Sequence, residues 1–179
     1  MPDFVKRLTA DFSADSKRHR YVIALGSNRR HPRLGRPSAI LDAAFVALGK
    51  APTTLVSTSK TIRSRPIGPS LRYYANAAAL IETALAPDAL LSHLKRLESD
   101  FGRRRSGQRW RARVLDLDII LWTGGIWADP DLVLPHRLFH TRAFVLHPVA
   151  MIAAHWRDPR SGLRIRHLKA RLDRAGIRP

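Results

Sequence analysis

Ten residues at 113–122, RVLDLDIILW, alternate side-chain character with the period of two that belongs to a β-strand. Leu115, Leu117, Ile119 and Leu121 are predicted to share one face, and Asp116, Asp118, Ile120 and Trp122 the other. The leucine and isoleucine face needs a core to bury it. The aspartate face cannot be buried in the same way. Aspartate is disfavoured in strands, and two carboxylates on Cα atoms about 7 Å apart repel each other unless a cation compensates them. A sheet containing this strand must be packed on one side and, at the aspartates, accessible to something positive on the other.

The other periodic segments say what kind of sheet that is. Residues 21–25 form a β-rich run that stops at the turn formers Gly26, Ser27 and Asn28. Ile40 or Leu41, Phe45 and Leu48 then recur at helical spacing before Gly49. Residues 53–64 are rich in β-branched side chains and end at the proline-bearing RPIGPS, and residues 74–83, YANAAALIET, read as the next strand. Pro87 opens a helix whose stripe is Leu90, Leu94, Leu97 and Phe101, closed by Gly102. The aspartate strand follows. The TGG of 123–125 is predicted to turn the chain into a hairpin with IWA, residues 143–155 to form a helix interrupted near Pro148, and Ile165, Leu168 and Leu172 to mark a last amphipathic helix with a basic outer face.

The short loop between strands 53–64 and 74–83 makes them antiparallel neighbours, while the two helices act as crossovers. The expected fold is α+β: a ferredoxin-like βαββαβ core with an antiparallel sheet, an added hairpin and C-terminal helices, giving three α-β-α layers. With 179 residues, 45% of them apolar, and no repeat or low-complexity block, one domain over residues 20–179 is expected, preceded by a polar extension at 1–19. No apolar run is long enough to span a membrane, and the first twenty residues lack the apolar core of a secretory signal. The absence of cysteine excludes disulfides and thiolate metal sites. A cytoplasmic protein is expected.

What compensates the aspartates is the functional question. Taken alone, two carboxylates on a strand are explained by pairing with neighbouring arginines or by hydration. Directly upstream, however, stand Arg103, Arg104, Arg105, Arg109, Arg111 and Arg113, far more cations than two aspartates require. The whole chain carries a formal net charge of +18, which implies an anionic partner or substrate without naming it. Carboxylates are hard oxygen ligands suited to Mg²⁺, which keeps waters and bridges to substrate phosphates. Arginines beside it absorb the charge of a transferring phosphoryl group. GxxxxGK[ST] and GxGxxG are both missing, so any nucleotide is held without either motif. GSN at 26–28 offers small polar donors but is by itself a turn signal.

In this order, ALGSN, RPIGP, YYANAAALIET, LKRLESDFGR, RVLDLDIIL, LPH and TRAFVLHP resemble the 6-hydroxymethyl-7,8-dihydropterin pyrophosphokinases of folate biosynthesis over roughly residues 20–170. The resemblance implies transfer of a pyrophosphoryl group from ATP, as co-substrate, to the hydroxymethyl of a dihydropterin, with release of AMP. It implies that Asp116 and Asp118 hold two Mg²⁺ ions, and that Arg103 and Arg113 are the catalytic arginines of a loop closing over ATP, with Trp110 sealing it. For the pterin it implies an aromatic sandwich of Tyr74 and Phe144, with Asn76 at the ring edge and Ser64 and Ile67 in the adjoining loop. Glu98, Arg105, Ile119, His136 and Arg142 fall at positions linked to ATP or the closed loop. From the residues alone Phe144 reads as core, and His136 as structural.

This chain departs from the family pattern at Arg111 and Ala112, where Gly-Pro is common, at Arg65 in the pterin loop, and at Arg137 after LPH. A nucleic-acid-binding ferredoxin-like module is the competing reading, supported by charge and the arginine loop. Such modules present aromatics on the open sheet face, whereas here that face carries carboxylates that repel phosphate. A third reading is a diverged relative that binds pterin or nucleotide without turnover. The expected partners are therefore the two small substrates, with neither membrane nor nucleic acid, and the expected state is a monomer.

Overall fold

A computed structural model describes residues 18–65, 72–102 and 114–179. Strand β1 (His19–Ser27) leads into helix α1 (Pro37–Leu48), then β2 (Thr53–Thr58), β3 (Ile62–Ser64), β4 (Tyr74–Thr83), helix α2 (Pro87–Asp100), β5 (Asp116–Trp122), the short β6 (Trp127–Ala128) and β7 (Val133–Leu134), and helices α3 (Ala143–Ala153) and α4 (Ile165–Arg174). The main sheet runs β2-β4-β1-β5, with β3 also on β4, and every pairing is antiparallel. This is the expected βαββαβ order, with β1 in the middle and the aspartate strand at an edge. No helix among the described residues is long and apolar enough to cross a membrane.

Both faces of the sheet are packed. On one, Tyr21, Ile23 and Leu25 of β1, Ala77, Ala79 and Ile81 of β4, and Leu115, Leu117 and Ile119 meet the buried stripes Ile40, Leu41, Ala44, Leu48 of α1 and Leu90, Leu94 of α2. On the other, Val22, Ala24, Ala78, Leu80, Ile120 and Leu121 meet Val145, Leu146 and Val149 of α3 and Ile165, Leu168 and Leu172 of α4. Proline at the first turns of α1 and α2 is pre-set for the helical φ and gives up an N–H that has no partner there anyway.

The structure corrects the sequence reading in four places. The strand at 53–64 is two strands, because Thr58 pairs with Ala79 and Ile62 with Asn76, leaving one residue too many on the outer strand. Ser59 absorbs it: its N–H donates to Ala78 O at 2.9 Å, and its hydroxyl oxygen accepts the Ala78 N–H at 2.8 Å in place of a ladder carbonyl. Second, IWA does not return along β5. The Trp122 ring lies over Gly124 so closely that a Cβ there would collide with it. Trp127 meets Trp122 edge to face at 5.8 Å, and β6 pairs instead with β7. Third, α3 runs unbroken through Pro148. The cost of an interior proline, about 3 kcal/mol, is outweighed by burying Val145, Leu146 and Val149, each contributing roughly 1.5–3 kcal/mol.

The fourth correction concerns β5 itself. Its register against β1 slips between Val22 and Ile23, so that Ile119 faces Ile23, Leu121 faces Val22, and Ile120 has no partner. Beyond this bulge the alternation inverts. Leu121 joins the α3 and α4 face with Ile120, and Trp122 joins the α1 and α2 face, where it stacks on Tyr21 at 6.2 Å with an interplanar angle of 8°.

Candidate active site

Asp116 and Asp118 lie on the near side of the bulge, where strict alternation still holds, and both are half-buried on the face that α3 and α4 cover further along. The register places them at the end of two cross-strand rows: Asn76, Gly26 and Asp116 in one, Ala78, Ala24 and Asp118 in the next. The middle strand thus supplies only a glycine and an alanine between β4 and the carboxylates. A Cβ on Gly26 would meet Asn76 Oδ1 at 3.6 Å and Asp116 Cβ at 4.0 Å, so glycine keeps an open floor between the two polar groups.

Asn76 is buried, and its Nδ2 donates to the buried Ser64 hydroxyl at 2.8 Å. That bond fixes the amide so that Oδ1 is the atom turned toward Gly26. Tyr74 is the register partner of Ser64 and shares the Asn76 face by alternation. Ser64, Tyr74 and Asn76, three of the residues that the resemblance links to the pterin, thus lie together at one end of β4. Phe144 is neither plain core nor fully open. It packs against the α3 and α4 core with one side and lines a surface cleft with Arg65 and Arg142.

His136 reaches the site through main chain: its N–H donates to Ile120 O at 3.0 Å, at the bulge. Its Nδ1 accepts the Leu138 N–H at 3.3 Å, which puts the proton of the neutral ring on Nε2. Burial, and then the positive charge of Arg142, hold the imidazole below its ordinary value of 6.5, against the opposing charge of Asp116. Asp116, His136 and Arg142 therefore form one electrostatic neighbourhood.

Two sequence-assigned residues do not share that face. The Ile119 side chain is 2% exposed in the α1 and α2 core, so only its main chain is available to a nucleotide. Glu98, on the buried stripe of α2, accepts the Leu117 N–H at 2.8 Å, bracing the strand at the residue between the two aspartates. Neither role is visible in spacing alone. Ser27 and Asn28, read as turn formers, are also buried. Ile67, Arg103, Arg105, Trp110 and Arg113 lie outside the described residues. Among the described residues no group of three or more His, Cys, Asp or Glu side chains gathers to hold a metal. A pair of carboxylates is nevertheless what a magnesium ion needs from protein when phosphate oxygens and water complete its shell.

Residues 22–154 match the family model of 7,8-dihydro-6-hydroxymethylpterin-pyrophosphokinase. A 2-amino-4-hydroxy-6-hydroxymethyldihydropteridine pyrophosphokinase from Haemophilus influenzae is 43% identical over 134 residues, 74% of this chain and 80% of that protein. Proteins of the same name from Methylorubrum extorquens and Pseudomonas aeruginosa are 37% and 39% identical, covering 88% and 78% of this chain and 96% and 84% of their own lengths.

Proposed function

The chain belongs to the 7,8-dihydro-6-hydroxymethylpterin-pyrophosphokinase family, and from that premise we propose how its residues divide the reaction. It transfers the pyrophosphoryl group of ATP to the hydroxymethyl oxygen of the dihydropterin, a step of folate biosynthesis that leaves AMP. The oxygen attacks the β-phosphorus as the bond to the AMP oxygen breaks, so the site must hold a polyphosphate and a planar heterocycle end to end.

Asp116 and Asp118 are the residues that would hold Mg²⁺, two ions in this reading, and the metal would supply positive charge for the triphosphate. The observation that carries this reading is the carboxylate pair set beside a Gly26 and Ala24 floor, with the Ser64-anchored Asn76 at the other end of the same row. Asn76 reads the ring edge through Oδ1, and Tyr74 and Phe144 hold the ring between them. His136 offers Nε2–H to a phosphate oxygen as a neutral donor, which suits a group already crowded by arginine. Arg103, Arg105 and Arg113 supply charge to the triphosphate, Arg142 joins them, and Trp110 and Ile67 help to enclose the pterin. Glu98 is a positioning residue acting through Leu117. The protein works as a monomer in the cytoplasm, with residues 20–179 forming one domain.

Purified protein given ATP, Mg²⁺ and 6-hydroxymethyl-7,8-dihydropterin should release AMP and pterin diphosphate in equal amounts, followed by liquid chromatography. ATP consumed to ADP, or AMP formed without the pterin, would overturn the assignment.

A further inference from the structure

Helix α4 buries its apolar stripe, Ile165, Leu168 and Leu172, in the core it shares with α3. The opposite side is exposed at Arg166, His167, Ala170, Arg171 and Arg174, a spacing that makes one continuous band. At 1.5 Å per residue the three arginines span about 12 Å along the axis. Arg166 is held in place, since its Nε donates to His167 Nε2 at 3.2 Å and its Nη1 to His155 Nδ1 at 3.4 Å. The turn before the helix adds charge at the same end, where an isolated bridge sets Arg157 beside Arg164.

The stability of the helix does not account for this charge. Basic side chains in a last turn complement the helix dipole, and Arg174 Nε does donate to Ala170 O at 3.3 Å. Arg166, however, lies in the first turn, where the dipole opposes a cation and no acid stands. Nor do nearby acids neutralise the band. The Asp158 carboxylate is buried and accepts the Arg160 N–H at 3.1 Å and the Ser161 hydroxyl at 2.6 Å. Asp173 takes Lys169 Nζ at 2.6 Å and His147 Nε2 at 2.8 Å, with Arg178 Nη1 at 3.6 Å. Pro179, with the terminal carboxylate, lines the cleft beside Phe144. Among the described residues Arg166, Arg171 and Arg174 form no ion pair.

A rigid band of guanidinium groups fits a row of phosphates. A single strand would be held by bases stacked on aromatic rings, and a bilayer by an apolar helix face. The band has no Phe, Tyr or Trp, and the apolar face of α4 is buried. We propose that the outer face of α4 is a docking surface for the sugar-phosphate backbone of a nucleic-acid duplex, bound without reading its sequence. The carboxylates that argue against nucleic acid on the sheet belong to β5, a different element. The surface uses no residue assigned to ATP or pterin.

Fluorescence anisotropy on the full chain uses labelled DNA and RNA duplexes of about twenty base pairs. At least one should bind with a Kd of about 10 μM or below at about 0.1 M salt, and saturating ATP with Mg²⁺ should leave that Kd within twofold. Arg166→Gln, Arg171→Gln and Arg174→Gln together should raise the Kd at least tenfold. They should also lower the slope of log Kd against log salt by about two to three, at about 0.7–0.9 per phosphate contact. The equal charge loss in Lys50→Gln, Lys95→Gln and Arg96→Gln, at exposed positions elsewhere, should move the Kd less than threefold. Arg166→Glu relieves the conflict with the dipole, so the thermal midpoint should hold or rise while the duplex Kd rises at least fivefold. The proposal is overturned if neither duplex binds, or if the two triple variants weaken binding alike. It is also overturned if ATP displaces the duplex, which would place it at the residues assigned to the nucleotide. Anionic phospholipid vesicles that bind as tightly as the duplex, and lose as much in the first triple variant, would make the partner a bilayer instead.

Discussion

The two faces of the sheet are built from the same strands, yet only one is filled along its whole length. Facing α1 and α2, β1 offers Tyr21, Ile23 and Leu25, all large and all buried. Facing α3 and α4 it offers Val22, Ala24 and Gly26, and the partners on β4 run Leu80, Ala78, Asn76. Along β1 side-chain volume falls step by step until the row holding Asp116, where a glycine is all that separates Asn76 from the carboxylate. Both faces contribute burial free energy, but the second gives up part of its share for a floor on which flat and charged ligands can rest.

The sharpest way to break this division is to remove charge from the open face. Asp116→Ala or Asp118→Ala should lower kcat by about a thousandfold or more while the thermal midpoint moves by only a few degrees, checked by AMP release and by circular dichroism. If either variant unfolded instead, the carboxylates would be structural.

The converse change lies one residue away. Leu117→Ala, on the packed face between the same aspartates, should cost about 2–5 kcal/mol of stability in urea unfolding. A smaller loss would mean that the packed face has room to collapse around the gap.

A third variant tests the floor. Gly26→Val should reduce kcat/KM for the pterin by about tenfold, an effect on the order of 1.4 kcal/mol. Because valine suits a strand better than glycine, the thermal midpoint should hold or rise. A valine that left kcat/KM untouched would show that the row from Asn76 to Asp116 is not where the ring sits.

The smallest effect concerns His136. Its value in the fold is lowered, so the unfolded chain binds more protons as the solution becomes acidic. Its contribution to stability is therefore complete above 6.5 and is lost as pH falls from there through the lowered folded value. His136→Gln should flatten the thermal midpoint between pH 7 and 5 relative to the unmodified chain. An unchanged slope would place that dependence on other groups.

Much of this arrangement was legible in the residue pattern, for identifiable reasons. The strand order followed from one short loop and two helical stripes, and the aspartates declared their face because alternation is a local property of backbone geometry. What the pattern could not show was where alternation stops. Nothing in IILW marks Ile120 as the extra residue; the slip is set by pairing with β1, and it moved Leu121 and Trp122 to opposite sides from those expected. The same holds for Glu98 and Ser59, whose partners Leu117 and Ala78 are each nineteen residues distant and are chosen by packing. Phe144 was ambiguous in the sequence because it does two things, filling core and lining a cleft.

The bulge at Ile120 has one more consequence. As the last strand of its sheet, β5 has a rim that no further strand of that sheet pairs with, and Ile120 O on it takes the amide of His136. The imidazole and the carboxylate of Asp116 are thus spaced by a short length of rigid main chain, like two teeth on one comb. Shortening the strand by that single residue would leave every reactive group present and spoil the distance between them.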